Sequence, residues 1–355
     1  MKQNIEQISN DLLVWYDQNA RILPWRYFGK AKVDPYKVWI SEIMLQQTSV
    51  STVMPYFKEF CKMWPTVTKL SEADLSEVLS FWSGLGYYSR VRNLLKCAVL
   101  IESDHNGKFP ENEKELLKLP GIGVYTSAAI LAIAFNKYAV VVDGNIKRLI
   151  SRIFSLKTPI KGNYQEIWSL TRIVTPDKRF GDFAQSMMDL GSKICTPTSP
   201  KCQICPISKN CLAKIYNMEN LLPFKLKKIL KPMRNGNSYI IKNENKILLY
   251  KRPNKGLLAG LVSIPSGEWD NYDDARLKFI KNFKKHKFSQ IKHEFTHFRL
   301  KMEIYFIDYN IPHNAAIKIP SGFNWYSFQE VKKLAMPSLM KKIFKTMSFY
   351  KIPIQ

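Results

Sequence analysis

The sequence predicts two domains of different class, an all-α domain followed by an α+β domain. Up to about residue 216 the apolar residues recur at helical spacing, in short segments joined by Pro- and Gly-containing connections. Four cysteines, Cys195, Cys202, Cys205 and Cys211, close that region with the spacing C-x6-C-x2-C-x5-C. Beyond a lysine-rich connector, apolar and aromatic runs alternate with turn signals, as strands do.

Helices are expected over Ile5–Tyr16, Pro35–Met54 and Ser71–Trp82, the last with Ser71 as N-cap and Asp74 at its third position. Asn112–Leu119, Tyr125–Phe135 and Asn145–Phe154 read as shorter helices, punctuated by Gly84, Gly86, Gly107, Pro110 and Pro120-Gly121. The helical domain is therefore placed at 1–216, with its cysteine loop at 195–211. A connector holding Pro223 and Pro232 is placed at 217–233, and the second domain at 234–355. There, Ser238–Ile241 and Lys246–Lys251 form a hairpin about Asn243-Glu244-Asn245, and Phe298–Tyr309 is a strand rich in aromatic and β-branched residues. Tyr272–Phe283, Ser327–Met336 and Ser338–Met347 read as helices, which makes this domain α+β.

The chain has 355 residues, enough for two buried cores, and a net charge of +25. An excess of that size points to a polyanionic partner. Without a basic amphipathic anchor, nucleic acid is favoured over a membrane surface. The plain alternative is a surface of solvated lysines. No apolar run approaches the roughly 18 residues of a membrane span. Met1–Asp11 is polar and lacks the apolar region of an export signal, so the expectation is a cytoplasmic, reducing setting in which disulfides do not persist. Cys61 and Cys97 read as core thiols. For the other four cysteines zinc and an iron–sulfur cubane both stay open. Zinc sites usually show two C-x2-C pairs, and only Cys202 and Cys205 form one. The asymmetric spacing favours the cubane.

Leu119-Pro120-Gly121-Ile122-Gly123 lies between two helical segments. Gly121 and Gly123 permit positive φ and close backbone approach, and the free N–H groups of the following helix can hold a phosphate. An ordinary helix–helix turn is the plain alternative. Together with the basic charge, Asp143 some twenty positions later and the cysteine loop, this turn resembles the helix-hairpin-helix element of the endonuclease III superfamily. Within that superfamily, five segments are similar to the adenine DNA glycosylases of the MutY type. They are Leu23-Pro-Trp-Arg26, Asp34 to Thr48, Gly84 to Arg90, Val142 to Arg148 and Met188-Asp-Leu-Gly191.

The resemblance implies a helical glycosylase domain with a [4Fe-4S] module on Cys195, Cys202, Cys205 and Cys211, followed by a Nudix-like domain. The partner it implies is double-stranded DNA with adenine opposite 8-oxoguanine or G, bound by a monomer. Such an enzyme hydrolyses the adenine N-glycosidic bond and initiates base excision repair; in a bacterium it is nucleoid-associated. Cleaving that bond needs an acid for the leaving base and a negative charge beside the oxocarbenium sugar. Glu42 is the one carboxylate in the apolar run Trp39–Leu45, where desolvation raises its pKa. By resemblance it protonates adenine N7 and later activates water. Asp143 reads locally as a helix N-cap; by resemblance it supports the sugar cation, and Asn145 orients these groups. Tyr125 stands where bifunctional relatives carry the Schiff-base lysine, so strand cleavage by β-elimination is expected to be weak or missing. Gln47, Thr48 and Tyr87 match positions that wedge into the duplex around the opposite base. Trp25 and Arg26 match the wall of the pocket for the flipped adenine.

In the second domain Phe295-Thr296-His297 resembles the Phe-Ser-His loop that reads 8-oxoguanine, with Thr296 in place of Ser. Asp273 and Asp274 open the expected helix without the glutamate pair a Nudix hydrolase needs for Mg2+, so no pyrophosphatase activity is expected. Lys281, Lys284, Lys285 and Lys287 cluster around His286, either as a solvated helix end or as a phosphate contact. The segment Tyr27–Val33 is longer than the family pattern, and the cysteine loop offers only Lys201 as a cation. The rivals to this assignment are a bifunctional pyrimidine glycosylase/lyase and a non-catalytic DNA-binding redox protein.

Overall fold

The computed structural model describes residues 4–29, 33–224, 226, 230–253, 256–267, 269, 275–281, 283–309, 319–331, 334 and 336–349. It contains α1 (Ile5–Asn19), α2 (Pro35–Leu45), α3 (Val50–Met63), α4 (Val67–Ser71), α5 (Leu75–Phe81), α6 (Ser89–His105), α7 (Glu113–Lys118) and α8 (Val124–Phe135). These are followed by α9 (Gly144–Ile153), α10 (Tyr164–Val174), α11 (Phe180–Lys193) and α12 (Leu212–Ile215). The second half holds β1 (Met233–Asn243), β2 (Lys246–Lys251), β3 (Val262–Ser263), β4 (His286–Glu294), β5 (Arg299–Asp308), β6 (Phe323–Ser327), α13 (Phe328–Val331) and α14 (Ser338–Phe349). The chain divides into two compact units, one of residues 1–73 and 92–228, the other of residues 74–91 and 229–355.

In the first unit, α8 packs on α2 and α11, and α11 also packs on α1 and α9. The sequence explains this centre. Helix α8 is VYTSAAILAIAF, and its residues from Thr126 to Ala132 are all buried. A helix apolar on every side belongs in a core. It stops at Asn136, which takes the left-handed conformation (φ 47°) while the Lys137 N–H returns to the Leu131 carbonyl. Helix α2 starts on an Asp34 side-chain cap with Pro35 at its first position, and buries every residue from Val38 to Met44, Glu42 included.

Two expected helices are corrected here. The Pro35–Met54 segment breaks after Leu45. Gln47 sits at φ 58°, and Ser49 caps a new helix by accepting from the Thr52 N–H. Ser71 does not open a helix but ends α4. Asp74 is the cap of α5, its carboxylate accepting from the N–H groups of Ser76 and Glu77. Both segments contain competing cap residues, and the backbone took the later one.

The second unit is built on a sheet with strand order β3-β2-β1-β5-β4, β6 pairing with β2. The expected hairpin of β1 and β2 is antiparallel with Asn243 opposite Lys246. Strand β5 runs parallel to β1 with Met233 opposite Arg299, and antiparallel to β4. Ile240, Ile247, Leu300, Met302 and Ile304 pack with Leu339, Met340 and Ile343 of α14. Leu277, Ile280 and Phe323 build a second cluster with Ile241, Leu248 and Ile307. The hydroxyls of Ser83 and Tyr88 donate to the Met336 carbonyl, which ties residues 74–91 to this unit. Of the expected helix Tyr272–Phe283, the described part is a 3₁₀ helix over Ala275–Ile280; Asp273 and Asp274 lie outside the described residues. Of Ser327–Met336, Phe328–Val331 is helical.

Candidate active site

Three helices of the first unit converge on one carboxylate. Glu42 projects from α2, Tyr125 from the first turn of α8, and Asp143 caps α9. The Tyr125 hydroxyl donates to Glu42 Oε2 at 2.5 Å. Asp143 accepts from the Ile146 N–H at 2.6 Å, as an N-cap does, while its other oxygen accepts from the Asn145 amide at 2.9 Å. So the local N-cap reading holds, and one carboxylate oxygen of Asp143 is turned toward the site's side chains. Asn145 is held in turn by Arg148, which donates to its Oδ1 at 2.9 Å, to the Gly191 carbonyl and, at 2.8 Å, to the Cys195 carbonyl.

The electrostatics distinguish the groups. Burial pushes the Glu42 carboxyl up to about 7. The Tyr125 hydrogen bond and the Arg26 charge oppose the rise, and the Asp143 charge adds to it. Burial, then the neighbouring carboxylates, push the Tyr125 phenol well above its usual value. At neutral pH the site therefore holds a carboxyl poised between its two protonation states and a phenol that stays a donor.

Glu42 faces a cavity lined by Leu23, Trp25, Arg26, Leu45, Gln185 and Met188, among others. Trp25 is buried and meets Phe57 edge-on. Sequence reasoning missed what holds Arg26 there. Arg26 donates to both oxygens of Asp189, at 2.5 and 2.7 Å, and the Arg21 backbone and side chain bond the same carboxylate at 2.9 and 2.5 Å. Asp189 is wholly buried. Burial alone raises its pKa, but the two arginines outweigh that and the net shift is downward. The available signal was an Asp within the otherwise apolar run Met187–Leu190, the same kind of signal that marked Glu42.

The other expected contact residues are each described in their own unit. Gln47 is exposed in the left-handed turn between α2 and α3, beside Thr48. Gly121 has φ 82°, and a Cβ there would meet Asn93 Cβ at 2.9 Å. Gly123 caps α8 with backbone alone, leaving its first N–H groups without a side-chain partner. In the second unit Tyr87 is exposed at φ 50°, with the Arg90 guanidinium over its ring. Thr296 and His297 are exposed in the turn between β4 and β5.

The four cysteines of the loop are free thiols. Two 3₁₀ turns, Cys202–Ile204 and Ser208–Asn210, run into Cys205 and Cys211. Arg152, buried in α9, donates to Cys195 Sγ at 3.2 Å and to the Thr196 carbonyl, and its own carbonyl accepts from Cys211 Sγ at 3.4 Å. Burial raises the thiols of Cys205 and Cys211, to about 12 and about 11. Among the described residues no group of three or more His, Cys, Asp or Glu converges on a single ion. No described helix is long and apolar enough to cross a membrane.

A family model described as "HhH-GPD superfamily base excision DNA repair protein" matches residues 40–171, and a NUDIX domain model matches residues 238–346. A solved structure of a thermostable thymine-DNA glycosylase is 30% identical with a TM-score of 0.54, covering 60% of this chain and 97% of that one. An endonuclease III–DNA complex shares the fold at 21% identity and a TM-score of 0.50, covering 61% of this chain and 99% of that one. The helical unit with its buried carboxylate thus defines a DNA glycosylase of base excision repair, with a Nudix-like domain appended. The adenine DNA glycosylase of Buchnera aphidicola subsp. Baizongia pistaciae is 37% identical, covering 94% of each chain. That of Buchnera aphidicola subsp. Schizaphis graminum is 34% identical, covering 94% of this chain and 96% of its own. The human adenine DNA glycosylase is 32% identical, covering 94% of this chain and 72% of its own. The chain belongs to the adenine DNA glycosylases, DNA N-glycosylases that act as hydrolases in base excision repair.

Proposed function

We propose that this glycosylase removes adenine opposite 8-oxoguanine or G from duplex DNA by hydrolysis alone, without cutting the strand. The observation that carries the reading is the buried Glu42 carboxyl, raised to about 7 and held by Tyr125. A flipped adenine enters the cavity lined by Trp25, Arg26 and Gln185. Protonated Glu42 gives its proton to N7 and the C1′–N9 bond breaks with its electrons going to the base. Asp143, oriented by Asn145, supports the oxocarbenium sugar. Ionised Glu42 then takes a proton from the water that adds to C1′. No amine stands at position 125, so no Schiff base forms there.

Gln47, Thr48 and Tyr87 hold the opened duplex, and the amides around Gly121 and Gly123 take a phosphate. In the second domain Thr296 and His297 read the opposite 8-oxoguanine. Along the sequence the functional domains are 1–216, a connector at 217–233, and 234–355, although residues 74–91 group with the second compact unit and 217–228 with the first.

Cys195, Cys202, Cys205 and Cys211 would hold a [4Fe-4S] cluster. The donor set fits: four thiols within one short loop, with the Arg152 guanidinium to offset thiolate charge. Each of the four would supply one thiolate to the group. Bound there, the cluster staples the loop and takes no step in glycosidic cleavage. The protein acts as a monomer in the cytoplasm, associated with the nucleoid if its source is a bacterium. Base release from duplexes with A opposite 8-oxoguanine, G and T, run side by side, tests the reading. Cleavage of the first two and not the third is expected; equal release from all three rejects the mispair assignment.

A further inference from the structure

The turn carrying Thr296 and His297 is anchored from inside the second unit. Phe295 and Phe298 flank the two exposed residues, and the Phe295 N–H donates to the Phe298 carbonyl at 2.9 Å, which closes the turn. The two phenyl rings stack with centroids 4.8 Å apart. Trp269 packs against both of them, 5.1 Å from Phe295 and 5.5 Å from Phe298. His293 meets Phe295 edge-on at 4.6 Å, and the Arg234 guanidinium covers Phe298 at 4.6 Å. From outside, the Lys231 ammonium donates to the Phe295 carbonyl at 2.9 Å. The indole fits because β1 carries Gly236 beneath it; a Cβ there would meet Trp269 Cδ1 at 2.7 Å.

We propose that Trp269, seated on Gly236, is a positioning residue for mispair specificity. It fixes the phenyl pair, and the closed turn then projects Thr296 and His297 in one geometry. This rests on the reading that those two residues contact 8-oxoguanine. A hydrogen-bonding reader discriminates only while its donors are held in place, since small displacements weaken such contacts steeply. Trp269 belongs to the second unit, and Glu42, Tyr125 and Asp143 to the first, so its loss acts on preference and not on the chemical step.

The test measures single-turnover adenine release and duplex affinity for A opposite 8-oxoguanine and A opposite G. The proteins are the parent, Trp269→Ala, Trp269→Phe, Gly236→Ala and His297→Ala, with the melting temperature of each recorded. Trp269→Ala and Gly236→Ala are expected to lower the 8-oxoguanine preference by about tenfold and to leave release from A opposite G near the parent rate. Trp269→Phe is expected to restore most of the preference. A merely structural role for the indole would lower both substrates together, follow the melting temperature and overturn the proposal. If Trp269→Ala and Gly236→Ala keep the preference while His297→Ala loses it, the positioning role is wrong and the reading of the loop stands. If none of the variants loses it, both are wrong.

Discussion

The Tyr125 hydroxyl donates to Glu42 Oε2 at 2.5 Å, and that bond works against the burial that raises the Glu42 pKa. A donor that favours the carboxylate keeps the acid from being trapped in its neutral form. Tyr125→Phe removes the donor. The alkaline limb of the single-turnover rate is expected to move upward by about one pH unit, because the carboxyl then holds its proton more tightly. Rate–pH profiles of parent and variant check this; an unmoved limb separates Tyr125 from the titration of Glu42.

Glu42 also links stability to pH. Its folded value, about 7, lies above the ordinary value of 4.5, so the folded chain binds the proton more tightly than the unfolded chain. The contribution is full below the ordinary value and is lost as pH rises through the folded one. The loss is roughly 3 kcal/mol. Glu42→Gln keeps the shape and cannot ionise. Its melting temperature is expected to exceed the parent's increasingly between about pH 5 and about pH 8, as thermal scans across that range will read.

Asp189 holds Arg21 and Arg26 together in the interior. Removing one partner of a buried ion pair leaves uncompensated charge and costs about 3–5 kcal/mol. Asp189→Ala is expected to lose that much in urea titrations. Asp189→Asn is expected to lose less, yet to slow base release by loosening Arg26 at the cavity wall. Unchanged stability in both variants would remove the pair from this account.

Cys202→Ser and chelation of the cluster are expected to lower the melting temperature and abolish the broad visible absorbance of the purified protein. Iron and acid-labile sulfide assays on the same samples distinguish a cubane from zinc. Zinc without sulfide in the parent contradicts the assignment of the loop.

Local chemistry made some of this legible in the sequence. Glu42 stood out as a lone carboxylate in an apolar helix, and its burial follows from the residues around it. Asp143 was legible as a cap because Asp before a helix seeks an N–H, and it does accept from Ile146. The break after Leu45 was hidden because Gln47 takes a left-handed conformation without glycine. Ser49, the cap of α3, was the only cue. Helix α6 is absent from the expected helices although Val91, Leu94, Leu95, Ala98 and Ile101 are buried at helical spacing along Ser89–His105. Contacts made only by tertiary folding were out of reach. Asp189 meets Arg26 across 163 residues, and Trp269 meets Gly236 and Phe295 through the sheet. Neither pairing leaves a periodic trace.

The most direct test of the acid assignment is adenine release by Glu42→Gln from a duplex carrying adenine opposite 8-oxoguanine, under single-turnover conditions with binding measured in parallel. Parent-like duplex affinity is expected, with a rate lower by about 10²–10⁴-fold, the range a general acid supplies. Release at the parent rate would contradict the assignment.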